Sequence, residues 1–169
     1  MNYKKYIDKH PEYYEIVKPI LESAEFEKRK QYCHHGNKTV YDHGMDVSII
    51  AYRLAKRLGF DKNVAAIAGL LHDFYDKPWQ ECYDKKPFFQ QHGFTHAKEA
   101  SVNANKYFPE IMNKKIDDAI KKHMFPLNIK IPRYKESWVV TCVDKYVSME
   151  IFKHPTKLFK YVGIKGKSK

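Results

Sequence analysis

Cysteine, arginine and long apolar runs are all scarce in this chain, and each scarcity excludes something. Its three cysteines, Cys33, Cys82 and Cys142, are widely spaced, odd in number and never arranged as Cys-x-x-Cys. That argues against a disulfide framework or a structural zinc knuckle and fits a reducing compartment. The longest apolar stretch covers residues 64–71, far short of the roughly 20 residues that span a bilayer. The opening residues, Met-Asn-Tyr-Lys-Lys-Tyr-Ile-Asp, hold no apolar segment of the signal-peptide kind. A cytoplasmic protein with no membrane partner is expected. Arginine supplies only four of 31 basic residues (Arg29, Arg53, Arg57 and Arg133). Readers of phosphates and bases favour its planar fork. The formal charge of +11 therefore points to anionic small substrates rather than to nucleic acid. Its one concentration is the C-terminal tail, from Lys153 to Lys169. Repeats, low-complexity blocks and alternating strand patterns are absent as well.

What is present reads as helix. At 43% hydrophobic and 15% aromatic, the 169 residues suffice for one domain with a real core. A helix is predicted over about 11–30, with Pro11 in its first turn, followed by a polar loop over 31–38. Thr39 caps a second helix that runs to Leu58 and stops at Gly59. Asp61 caps a third, to about Tyr75. Residues 79–94, with Trp79, Tyr83, Phe88 and Phe89, read as a surface connection. Thr95 caps a fourth helix ending before Pro109, and a fifth covers about 113–123. Residues 126–132 are expected to be extended, and a sixth helix spans about 135–152. The expectation is an all-α bundle of about six helices in residues 1–152, with its core in 34–152, and a Lys-rich tail over 153–169.

Four of these helices place an ionisable residue on their apolar side. The stripe Val47, Ile50, Leu54, Leu58 extends backward onto His43. Ala65, Ala68 and Leu71 lead into His72 and Asp73. Ile116, Ala119 and Ile120 lead to His123, while Val140, Val147 and Ile151 share a face with Asp144. A buried carboxylate is costly unless it is paired or bound to a cation, so four such positions together argue for a shared cation. Imidazole suits zinc, iron and similar metals, and carboxylates can bridge ions. Adjacent helical residues point about 100° apart, but at a helix end His72 and Asp73 can both reach one ion, or Asp73 can bridge two. His96, placed at a helix start, completes an inventory of four histidines and two aspartates suited to two ions.

His43, the His72-Asp73 doublet and Asp144, in this order and with the approach Ala-Gly-Leu-Leu-His-Asp, resemble the HD-domain metal-dependent phosphohydrolase superfamily over residues 34–152. His96 and His123 match its subset with a binuclear centre, often of iron, which includes hydrolases of dinucleoside polyphosphates and cyclic dinucleotides. The resemblance implies two divalent transition-metal ions, iron foremost, with manganese, zinc, cobalt or nickel as alternatives. One ion would take His43, His72, Asp73 and Asp144. The other would take Asp73 as a bridge with His96 and His123, His92 being a substitute for His96. A metal-activated water would then attack a small phosphorylated substrate, in all expectation a nucleotide.

The family's order His-Asp-Ile-Gly-Lys becomes His72-Asp73-Phe74-Tyr75-Asp76-Lys77 here, so the lysine comes one residue late and an acid precedes it. Asp73 and Lys77 are the candidate catalytic residues; His35, Lys77 and Lys145 are the candidate substrate contacts. The Gly-Tyr-Pro signature of cyclic-dinucleotide hydrolases is absent. His10, His34 and His154 read as surface, and Tyr134 and Trp138 as packing. Trp79, Phe88 and Phe89 read as core or lid, one of them available to stack on a base. Arg133 is a phosphate contact without a spacing argument. Two alternatives stay open: a di-iron oxygenase of the same superfamily, and a metal-stabilised regulatory domain without turnover.

Overall fold

The computed structural model describes residues 2–32, 38–76 and 92–149, with backbone alone for 92–94. Among the described residues there are eight α-helices and no strand. The first, α1 (Tyr3–Lys9), has no counterpart in the expected set; Asn2 caps it by accepting the Lys5 N–H. Helix α2 (Pro11–Leu21) starts on Pro11 as expected, but the predicted helix over 11–30 is broken. The Ser23 hydroxyl donates to the Ile20 carbonyl and accepts the Phe26 N–H, closing one helix and capping the next. Short hydroxyl side chains favour caps over helix interiors for this reason. A short α3 (Ala24–Glu27) and a 3-10 turn (Lys28–Gln31) follow.

Helix α4 (Val40–Leu58) has the predicted bounds. The Thr39 hydroxyl accepts the Asp42 N–H and the Asp42 carboxylate accepts the Thr39 N–H, a reciprocal capping box. At the other end Gly59 turns left-handed, with φ +70°. Helix α5 (Lys62–Leu71) stops short of Tyr75, because the chain turns at His72 and the Phe74 N–H bonds back to the Leu71 carbonyl. Helix α6 (His92–Tyr107) begins ahead of Thr95. Thr95 is therefore not its cap; it lies exposed in the first turn, where backbone N–H groups need no intrahelical partner. Asn113 caps α7 (Lys114–Lys122), and α8 (Lys135–Ser148) completes the set. The stretch predicted as extended begins instead in a turn, with the Asn128 N–H on the Met124 carbonyl. The aromatic connection, Lys77, His34, His35 and the Lys-rich tail lie outside the described residues.

Helices α4, α5, α7 and α8 form the centre of the bundle, α6 packs on α7, and α2 lies against α5. Helix α5 is buried from Val64 to Leu71. The α4–α5 contact is backbone to backbone: a Cβ at Gly69 would lie 2.9 Å from the Ser48 Cα, and one at Gly44 2.9 Å from the Leu70 carbonyl oxygen. Glycine is what permits that approach. The buried Ser48 hydroxyl donates to the Ala66 carbonyl across it, at 2.7 Å. The face of α4 that meets this core differs from the predicted stripe. Leu54 is half-buried and Leu58 is 49% exposed, while Val40, Val47, Ala51 and Ala55 are buried. Leu58 lies in the last turn of α4, and His43 near the opposite end.

Candidate metal centre

Each side chain of the cluster is aimed by a local feature. His43 lies in the first turns of α4, just after the Thr39 cap. His72 and His123 are the C-terminal caps of α5 and α7. Their Nδ1–H groups donate to the Gly69 carbonyl at 2.8 Å and the Ile120 carbonyl at 2.7 Å, each three residues back. These bonds satisfy carbonyls that a helix end leaves free, and they fix both rings with Nε2 turned inward. Asp73 follows His72 at the head of the turn, His96 lies in α6, and Asp144 projects from α8. All six are buried.

The six side chains converge in two groups joined by one carboxylate. The His43 Nε2 lies 3.1 Å from the His72 Nε2 and 3.0 Å from the Asp144 Oδ1. The Asp73 Oδ2 is 3.5 Å from His72 and 3.8 Å from His43. On the other side, the Asp73 Oδ1 is 3.4 Å from the His96 Nε2 and 3.5 Å from the His123 Nε2. Those two nitrogens are themselves 3.1 Å apart. His72 also belongs to the second group, since ligand atoms of His72, Asp73 and His123 all lie within 4.8 Å of one another.

This donor set fits a cation. Because Nδ1 carries the proton in His72 and His123, a neutral ring presents a lone pair at Nε2. A neutral His72 would aim that lone pair at the Asp73 and Asp144 oxygens, so a proton or a cation between them is favoured. Ligand atoms about 2.0–2.2 Å from a metal lie about 3.0–3.5 Å apart around it, the range spanned here by most of the pairs. The electrostatics agree. Burial works against a charge on His72, but the carboxylates of Asp73 and Asp144 outweigh it and push the ring up to about 9. His123 goes the other way, down to about 3, through burial and the charge of His72. Burial also opposes the Asp144 carboxylate, yet contacts from His43 and His72 hold it well below the usual range. Left alone, the cluster draws in a proton; a metal ion is the stronger answer to the same demand.

The remaining sequence candidates divide. Lys145 is half-buried, and its ammonium donates to the His123 carbonyl at 2.9 Å; burial lowers its pKa. Arg133 is exposed and offers its backbone N–H to Asp118. Trp138 is 40% exposed with its ring edge-on to Phe125. His10 is exposed beside Tyr6. His35, Lys77 and the side chain of His92 lie outside the described residues. Sequence reasoning missed the supports. The Ser148 hydroxyl donates to the Asp144 Oδ1 at 3.2 Å, a pairing that the spacing of four residues on α8 signalled. Asn103 and Glu99 hold the turn after Asp73, with no local sequence signal to reveal them.

A family model described as HD domain matches residues 40–149, from the first residue of α4 to just past the end of α8. Neither the curated proteins nor the solved structures yield a significant match.

Proposed function

The chain belongs to the HD-domain family, whose members are in general metal-dependent hydrolases, and from that premise we propose that it is a binuclear phosphohydrolase acting on a nucleotide or a similar small phosphate ester. The observation that carries the reading is the division of labour within Asp73. One of its oxygens faces His43 and His72, the other His96 and His123. A carboxylate so placed can serve two ions at once. His43, His72 and Asp144 would complete the first site, and His96 and His123 the second.

Divalent ions at these sites supply Lewis acidity toward a phosphoryl oxygen and bring the pKa of water toward neutrality. The protein's own groups do the rest. Asp73 and Asp144 offset positive charge, while the Nδ1–H bonds of His72 and His123 keep both rings in the tautomer that ligates through Nε2. Burial of all six ligands excludes competing water and strengthens every charge interaction inside. Lys77, four residues after Asp73, and His35, ahead of α4, are the proposed contacts for the substrate phosphate. Lys145 contributes by tying the His123 carbonyl to α8 and adds positive charge near the phosphate. The formal charge of +11 suits an anionic substrate. Iron is the proposed native metal, and the cytoplasm the proposed compartment.

The test is elemental analysis of protein purified without oxygen, chelator or a metal-affinity tag, followed by a phosphate-release screen over nucleotides and phosphomonoesters. Close to two ions per chain, with release supported by manganese or cobalt, is the expected result. Iron-dependent oxygen uptake without phosphate release would replace hydrolysis by oxygenase chemistry. One ion or none in a folded chain would leave a mononuclear nucleotidase or a binding domain.

A further inference from the structure

The turn that carries Asp73 is gripped from outside the metal cluster. Arg29, in the 3-10 turn, is only 1% exposed although it bears a full charge. Its Nη2 donates to the Asp76 Oδ1 at 2.6 Å, and its Nη1 to the Glu25 carbonyl at 2.7 Å. The guanidinium carbon lies 3.9 Å from the centre of the Phe74 ring. Phe74, the residue directly after Asp73, is wedged among Phe26, Tyr107 and Phe108, and its carbonyl accepts the Asn103 side-chain amide at 3.0 Å. The Asp76 N–H is held by the Glu99 carboxylate at 3.2 Å.

A buried guanidinium is an expensive way to fill a core position, since an apolar side chain of similar volume is often as stable or more so. What the charge adds is direction. One arm of the planar guanidinium holds the Asp76 carboxylate while its face lies on the Phe74 ring, and both partners belong to the turn of Phe74 and Asp76. Asp73 is thus fixed on one side by the His72 cap and on the other by this clamp. Its carboxylate can be shared between two histidine groups only if the turn holds one orientation. Arg29 lies outside the matched residues 40–149, and Asp76 is the acid that departs from the family's His-Asp-Ile-Gly-Lys order. Resting on the metal-centre reading above, we propose that Arg29 and Asp76 are positioning residues that set the angle of the Asp73 carboxylate between the two groups.

The test uses the full chain, stripped of metal and titrated with cobalt(II), with thermal unfolding of the metal-free protein measured in parallel. Asp76 is 46% exposed at its side chain, so Asp76→Asn should fold with an unfolding temperature close to that of wild type. Its cobalt affinity should nonetheless fall by on the order of tenfold, as when a residue orienting a ligand is lost, and the visible bands of bound cobalt should change. Arg29→Lys keeps the charge but not the fork and should behave alike; if that variant fails to fold, Asp76→Asn carries the test alone. The double variant should bind cobalt no more weakly than the worse single one, because both remove one coupling. Unchanged cobalt affinity and spectrum in Asp76→Asn would overturn the proposal and leave the pair a plain structural contact. A wild-type chain that takes up no cobalt would overturn the metal-centre reading itself.

Discussion

At the end of α5, His72 closes the last turn with its Nδ1–H on the Gly69 carbonyl; at the end of α7, His123 does the same on the Ile120 carbonyl. Both rings are fully buried and both turn Nε2 inward. Yet His72 is pushed up to about 9 and His123 down to about 3. Local construction sets the tautomer and the aim of each ring. Charge is decided by the carboxylates and imidazoles around each ring. Asp73 and Asp144 both reach His72, whereas His123, though near Asp73, is buried beside His96 and the charged His72. His72 is thus the ring that carries charge between two carboxylates, and His123 the one that stays neutral among imidazoles.

Substitutions can break or sharpen this contrast. The largest effect is expected from Asp73→Ala, the residue shared by both halves. Elemental analysis should find both ions lost and phosphate release abolished; full metal content would remove Asp73 as a bridge. Next, His72→Ala and His123→Ala should separate the two ends. Each should keep about half of the bound metal, His123→Ala the ion at His43, His72 and Asp144, and His72→Ala the ion at His96 and His123. Loss of both ions in either variant would erase the separation.

Packing around the two ends should matter similarly for both. Leu71 and Ile120 are both fully buried, and truncation of either to alanine should cost about 2–5 kcal/mol in denaturant unfolding. A smaller effect is expected at Lys145, whose ammonium holds only the His123 end. Lys145→Met should reduce stability by roughly 1 kcal/mol and weaken metal binding at the His123 half alone.

The smallest effect concerns Asp118, which ties α7 to α8 through the Arg133 N–H and the Ser137 hydroxyl and pairs with Lys122 on its own helix. Burial raises its pKa, but these partners prevail and hold it below the ordinary carboxylate range. Its contribution is therefore present above the unfolded value of about 3.9 and lost as pH falls through the folded one. Asp118→Asn should flatten the acid limb of the stability profile; an unchanged limb would show that other carboxylates set it.

The helix boundaries written in side-chain chemistry were legible. Thr39 and Asp61 each cap the helix that they were expected to cap, and Gly59 ends α4. Boundaries that depend on competition were not. Ser23 reads equally well as helix or cap until its hydroxyl finds the Ile20 carbonyl, and the end of α5 is settled by the turn at His72. His43 was found through a stripe that reaches the core only in part at its far end, where Leu54 is half-buried against it and Leu58 is exposed.

Periodicity and capping determined by themselves an all-α chain and a set of ionisable residues at the inward ends of helices, because these properties reside within one or two helical turns. Which oxygen of Asp73 faces which histidine, how close α4 comes to α5 across two glycines, and the burial of Arg29 against Phe74 were decided only by tertiary structure. These join residues dozens of positions apart, and the energies that fix them, burial and charge at short range, exist only once the helices have packed.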